Sequence, residues 1–250
     1  MYLIDQSHRN GFVSQINGFI FQGKKISSLD DIKAAIDFIY NKKAVLYRKR
    51  IKGKYCLRGN KAIEAKLDAL LDELAQRIYD YFNKPGNVTN NQSNFDEFHH
   101  GICQWFLNEL NKIRKMAGLP PATYGNAQKM INILFKYLAC FDDYPKYADL
   151  FSYCHMPIDG YIARALKDKG IIVPSTPWYG LTYQEYIDLQ NEIRLKLPRA
   201  PYMSILEAEF ILWPIAAKGR RCKGVLLNIT SWTQAPKISY FFVGLKTKGY

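Results

Sequence analysis

Lys129 and Asp159 are an amine and a carboxylate thirty residues apart, each at the edge of a segment with helical patterning. An amine attacks carbon only when unprotonated, a state promoted by partial shielding from water or by a neighbouring cation. A carboxylate stabilises nearby developing positive charge and can activate an incoming water or amine. The lysine lies in Thr123-Tyr124-Gly125-Asn126-Ala127-Gln128-Lys129-Met130-Ile131-Asn132, and the aspartate in Pro157-Ile158-Asp159-Gly160-Tyr161-Ile162. Gly125 is free to adopt a left-handed conformation. The backbone N–H groups of Asn126, Ala127 and Gln128 would then open a helix N-terminus, where donors and dipole favour a phosphate. Plainer roles stand beside these: a turn for Gly125, a solvated helix lysine for Lys129, and an N-cap for Asp159, which precedes a helix.

The two segments together resemble the helix-hairpin-helix DNA glycosylases, whose hairpin reads roughly L-P-G-V-G-x-K-T-A-N and whose later element reads P-V-D-x-H-[IV]. Gly125 falls on the first hairpin glycine, Ala127 on the second, Lys129 on the lysine and Asn132 on the asparagine. Pro157, Ile158, Asp159 and Ile162 fall on the second element. The chain departs from the pattern at Tyr124, Ala127 and Tyr161, and its lysine-to-aspartate spacing is longer by about the length of the polar, aromatic stretch Asp142 to Tyr153. That stretch is expected to be an insert at a helix-to-loop junction, where insertions are tolerated. The resemblance covers roughly residues 95–170. It implies a hairpin that grips a DNA phosphate through Gly125, Asn126, Ala127 and Gln128, with Asp159 beside a flipped nucleotide and either Lys129, as in lysine-bearing members, or water attacking the sugar. In that family the aspartate also caps a helix, so capping and catalysis are compatible.

Other constellations point elsewhere. His99-His100-x-x-Cys103 places His100 and Cys103 on one helix face, but zinc needs four ligands, and only Cys140 or Cys154-His155 offer distant help. A packed or surface histidine pair is the simpler expectation. Some members of the resembled family hold an iron–sulfur cluster on closely spaced C-terminal cysteines, where this chain has Cys222 alone, so neither metal nor other cofactor is expected. There is no P-loop, G-x-S-x-G or H-E-x-x-H.

Lys and Arg total 35 against 22 acids, a net charge of +13, and the 18 Tyr, 14 Phe and 4 Trp provide many flat surfaces. This balance suits a phosphate-bearing partner, with DNA first. Nine of the basic residues lie in Lys42 to Lys61, which holds no acid; Arg48, Lys49, Arg50, Lys52 and Lys54 form its centre, with Tyr47 and Tyr55 interleaved. A second basic knot runs from Lys218 to Lys223. No apolar run approaches the ~18 residues of a spanning helix, and five scattered cysteines argue against a disulfide framework. The start, with Asp5, His8 and Arg9, does not read as a secretory signal. A cytoplasmic monomer without membrane attachment is expected.

These groups must be positioned by a mainly α fold. Apolar spacing predicts helices over Leu29 to Tyr40 (Ser28 as N-cap, Asp31 as its box partner), Ile63 to Phe82, Phe95 to Lys115 and about Asn126 to Phe141. Others are expected over Gly160 to Lys169, Thr182 to Leu195 and Ser204 to Ile215. Ala44–Leu46 and Tyr55–Leu57 suggest a short hairpin, and Val225 to Trp232 with Lys237 to Leu245 a small C-terminal β hairpin. The polar loop Asn87 to Asn94 divides an N-terminal lobe (1–86) from a glycosylase-like helical core (94–215), followed by a β segment (216–250), all within one compact body. The expected function is excision of a damaged or modified base from DNA. Two alternatives are a non-catalytic nucleic-acid-binding protein with a degenerate hairpin and a protein that processes modified phage bases in antiviral defence.

If the basic segment tracks a phosphate backbone, Arg48→Ala, Lys49→Ala and Arg50→Ala together weaken DNA binding for all sequences. The slope of log affinity against log salt should flatten by about 0.9 per lost phosphate contact, as read by fluorescence anisotropy across a salt series. An unchanged slope returns the segment to a solvated surface.

Overall fold

The computed structural model describes residues 3–14, 21–42, 60–83, 91–197 and 204–218. Among these the protein is mainly helical, with nine α-helices, two 3-10 turns and no strand. Both expected hairpins, the basic residues Arg48, Lys49, Arg50, Lys52 and Lys54, and nearly all of the Lys218 knot lie outside the described residues.

In chain order the helices are α1 (Gln6–Val13), α2 (Leu29–Lys42), α3 (Lys61–Asn83), α4 (Gln92–Met116), α5 (Tyr124–Leu138), α6 (Ala148–Ser152), α7 (Gly160–Asp168), α8 (Tyr183–Lys196) and α9 (Ile205–Lys218). Apolar residues at three- and four-residue steps form the expected buried faces: Ile32, Ala35, Ile36 and Ile39 on α2, and Ile63, Leu67, Leu70, Leu71, Leu74, Ile78 and Phe82 on α3. On α4, Phe95, Ile102, Phe106 and Ile113 are buried, whereas Phe98 and Trp105 are only partly so. Left-handed glycines end two helices. Gly118 (φ 66°) lets Leu119 N–H reach Arg114 O, and Gly170 (φ 74°) lets Ile171 N–H reach Leu166 O.

Three helix starts are closed by side chains. Thr182 and Glu185 form the reciprocal box at the start of α8. At α2, Ser28 Oγ accepts from Asp31 N–H, but the Asp31 carboxylate turns outward to Lys24 Nζ and the Lys25 N–H. At α9, Ser204 accepts from Glu207 N–H, while Glu207 pairs with the backbone N–H of Asp5 and with His8 Nδ1, tying α1 to α9. Sequence patterning did not identify α1, a short and mostly polar helix with one buried residue, Phe12.

The stretch expected as a tolerated insert is part of the core. Residues Tyr144–Tyr147 form a 3-10 turn that leads into α6, and Tyr144, Ala148 and Phe151 are buried. The Asp143 carboxylate accepts from the N–H groups of Ile26 and Ser27 and from Ser27 Oγ, so this stretch holds the start of α2 in place.

At the centre is α5, packed against α2, α4, α8 and the 3-10 turn Trp178–Gly180. Of its fifteen residues only Lys129 and Ile133 keep appreciable exposure. One hydrophobic core runs from Ile4 in the N-terminal lobe to Leu212 in α9. The lobe and the helical core therefore share a single interior.

A close backbone approach sets a requirement on one residue. A Cβ on Gly125 would collide with the carbonyl oxygen of Trp178. Gly125→Ala must therefore push the 178–180 turn off α5, with an expected loss of at least about 1–3 kcal/mol of stability in urea denaturation. Wild-type stability in that variant would mean that the two backbones do not meet this closely.

Candidate active site

Segments far apart in sequence converge on Lys129. α5 carries the lysine on its least buried face, and the segment 154–158, which lies outside any helix, delivers Asp159 to the N-cap of α7. Asp159 Oδ1 accepts from the N–H groups of Tyr161 and Ile162 at 2.9 and 3.0 Å, while Oδ2 lies 3.7 Å from Lys129 Nζ. One oxygen thus caps a helix and the other faces the amine. The 3-10 turn adds Trp178, whose ring centroid is 4.2 Å from Lys129 Nζ. The lysine and aspartate side chains are 15% and 16% exposed, so the pair is largely shielded yet reachable.

Burial lowers the Lys129 pKa from its ordinary value, and the Asp159 charge opposes that fall. Beside the pair lies a cavity of about 160 Å³, walled by Ile158, Gly160, Ala163, Val173, Thr176 and Trp178. It shares Trp178 with the amine site but is not lined by Lys129 or Asp159 themselves.

The phosphate seat expected at the start of α5 is corrected by the structure. Gly125 is helical, not left-handed, and its N–H donates to Leu181 O at 3.1 Å. The N–H groups of Asn126 and Ala127 both go to Thr123 O. Gly125, Asn126, Ala127 and Gln128 are all buried, because the Trp178–Gly180 turn covers the end of the helix where an anion would sit. Asn126 instead closes the cap through Oδ1, which accepts from Thr123 N–H and Thr123 Oγ1. Gln128 acts through its side chain, described below.

A second amine–carboxylate pair, not anticipated from the sequence, lies two turns further along α5. Lys136 Nζ pairs with Glu209 of α9, both side chains being 3% exposed. The ammonium rests 3.7 Å from the ring centroid of Phe12 and 5.2 Å from those of Phe210 and Trp213. Burial raises the Glu209 carboxyl to about 7 and lowers Lys136; each partner opposes the other's shift, and Asp159 adds to the rise at Glu209. The two pairs are therefore coupled electrostatically. A basic residue seven positions after Lys129 was visible in the sequence, but nothing local linked it to Glu209.

The histidines serve a buried network. His99 Nε2 meets Asn132 Oδ1 at 2.8 Å, and Asn132 Nδ2 donates to Gln128 Oε1 and to Tyr186 Oη. His155 Nδ1 lies 2.7 Å from Tyr186 Oη and its Nε2 2.6 Å from Asp96 Oδ1, which also accepts from Gln92 and Arg194. One proton assignment satisfies the chain: Tyr186 donates to His155 Nδ1, and His155 Nε2–H donates to Asp96. His100 packs on Tyr183 with ring centroids 3.8 Å apart, and Cys103 Sγ lies 3.7 Å from His99 Nε2. Among the described residues no group of three or more His, Cys, Asp or Glu side chains is placed to hold a metal, and no helix is long and apolar enough to cross a membrane. No protein-family model, curated protein or solved structure matches the chain.

This network makes stability depend on pH. Burial pushes His155 down to about 4 despite its hydrogen bond to Asp96, while an unfolded histidine titrates near 6.5. Between those values the unfolded chain binds the extra proton, so His155 contributes stability that is lost as pH falls from about 6.5 towards 4. Asp96 is held at about 2, because hydrogen bonds from His155 and Gln92 and the Arg194 charge outweigh its burial; its contribution is lost below about 4. In urea denaturation at several pH values, His155→Gln is expected to flatten the slope in the upper window by up to about 1.4 kcal/mol per pH unit. An unaltered slope would mean that His155 is already charged in the folded state.

Proposed function

We propose that the protein is a DNA glycosylase-like enzyme that cleaves the bond between a base and its deoxyribose. One observation carries this: Lys129 Nζ and Asp159 Oδ2 meet at 3.7 Å in a largely shielded site, from sequence positions thirty residues apart. A partly buried lysine beside a helix-capping aspartate is what the resemblance to helix-hairpin-helix glycosylases calls for. An exposed surface pair would not lower the amine pKa in this way.

In this scheme the unprotonated Lys129 amine attacks C1′ of a nucleotide turned out of the duplex. The N–C1′ bond forms as the C1′–base bond breaks, and the base leaves with the bonding pair and takes up a proton. Positive charge builds on the sugar along the way, and the Asp159 carboxylate offsets it. Asp159 then accepts the proton that the attacking nitrogen must lose. If water attacks instead, Asp159 is its base and Lys129 supplies positive charge nearby. Trp178 offers a flat surface of the kind that holds an extruded base. Because the start of α5 is covered, DNA-backbone contacts are assigned to the basic segment centred on Arg48, Lys49, Arg50, Lys52 and Lys54 rather than to Gly125–Gln128.

Asp159→Asn keeps a capping oxygen but removes the charge, so the protein should stay folded while base release collapses. Lys129→Gln should abolish any borohydride-trapped protein–DNA adduct; retained base release in that variant would identify water as the nucleophile. Released bases are measured by mass spectrometry from oxidised, alkylated, unmodified and phage-modified DNA. Wild-type release from Asp159→Asn, or none from the wild-type protein on all four DNAs, overturns the assignment.

A further inference from the structure

Residues 155–158 run buried through the interior outside any helix, and no strand lies beside them among the described residues. Buried chain outside a helix or sheet has N–H and C=O groups that still need partners. Two fully buried glutamines provide them. Gln190 of α8 accepts from Met156 N–H through Oε1 at 3.1 Å and donates to Met156 O through Nε2 at 2.8 Å. Gln128 of α5 does the same two residues on: Nε2 donates to Ile158 O at 3.1 Å, and Oε1 receives Ile158 N–H at 3.5 Å. A carboxamide carries a donor and an acceptor side by side, as a peptide does, so each glutamine acts as one residue of a missing neighbouring strand.

The second clamp is placed with consequence. Ile158 immediately precedes Asp159, and Gln128 immediately precedes Lys129. The side chain of one joins the backbone of the other next to the 3.7 Å contact between amine and carboxylate. Gln128 is itself held by Asn132 Nδ2 at 3.0 Å, and its Nε2 also donates to Gly125 O. Its rotamer therefore has little freedom. We propose that Gln128 and Gln190 are positioning residues, side-chain stand-ins for a β-strand that fix where Asp159 meets Lys129. This rests on the glycosylase reading for its catalytic meaning, but the placement itself can be tested without catalysis.

Gln128→Met and Gln190→Met keep side-chain length and remove both hydrogen bonds. The Lys129 amine is followed by a pH titration of its ¹³Cε signal, assigned by its loss in Lys129→Arg. Asp159 holds that pKa up against burial, so Asp159→Asn lowers it, and both glutamine variants are expected to lower it in the same direction. Amide exchange at Met156 and Ile158 should accelerate while the amides of α5 and α8 stay protected. Base release should fall by up to about 10²-fold, the order expected for a misplacement of about 1 Å. If both variants fold and leave the Lys129 titration at the wild-type value, the glutamines only contribute stability and the proposal fails. Should Gln128→Met not fold, Gln190→Met decides by the same titration. If the wild-type protein releases no base, the glycosylase reading falls, and the titration alone decides the positioning role.

Discussion

A helix enclosed by protein on nearly every side is stabilised when its polar side chains find partners, and α5 carries several that do. An unpartnered buried donor or acceptor costs about 1–3 kcal/mol, and an unpaired charge more, so these groups constrain everything packed around them. Asn126 closes the cap at Thr123, Gln128 reaches Ile158, Lys129 reaches Asp159, Asn132 joins His99 and Tyr186, and Lys136 takes Glu209. In this way α4, the segment 154–158, α7, α8 and α9 are each oriented by a polar demand of α5 as well as by apolar packing.

The two lysines of α5 show how degree of burial separates roles. Lys136 and Glu209 are enclosed by aromatic rings, where loss of either partner strands a charge at a cost of about 3–5 kcal/mol. Such a pair holds α9 to α5 firmly and shapes the field around its neighbours. Lys129 and Asp159 keep a small exposure and a longer contact, so burial lowers the amine pKa while the pair still reaches solvent. Only the second arrangement suits chemistry on an incoming molecule.

The covered start of α5 follows from the same crowding. A helix N-terminus presents donors to whatever reaches it first. Here the 178–181 turn reaches it, with Gly125 omitting the Cβ that would otherwise hold the turn away. That turn also brings Trp178 over Lys129, so the backbone donors given up as an anion seat help to build the wall of the amine site.

Much of the helical framework was legible in the sequence because it follows from local rules. Three- and four-residue apolar spacing located α2, α3 and α4, and the helices expected to begin at Gly160, Thr182 and Ser204 fell on α7, α8 and α9. The candidate pair was legible as residue types at a motif-like spacing, and Asp159 as a cap. Helix α1 escaped notice because eight mostly polar residues with one buried ring carry almost no periodic signal. The stretch 142–153 looked like a polar insert because composition does not reveal that Asp143 satisfies the backbone of Ile26 and Ser27. Tertiary structure alone decided that Gly125 is needed for closeness rather than handedness, and that Gln128 acts through its amide side chain. It alone paired Lys136 with Glu209 and brought Lys129 within 3.7 Å of Asp159. Local sequence reports which conformation a segment prefers and which face it buries, whereas the partner of a buried polar group is set by whatever chain the fold delivers to it.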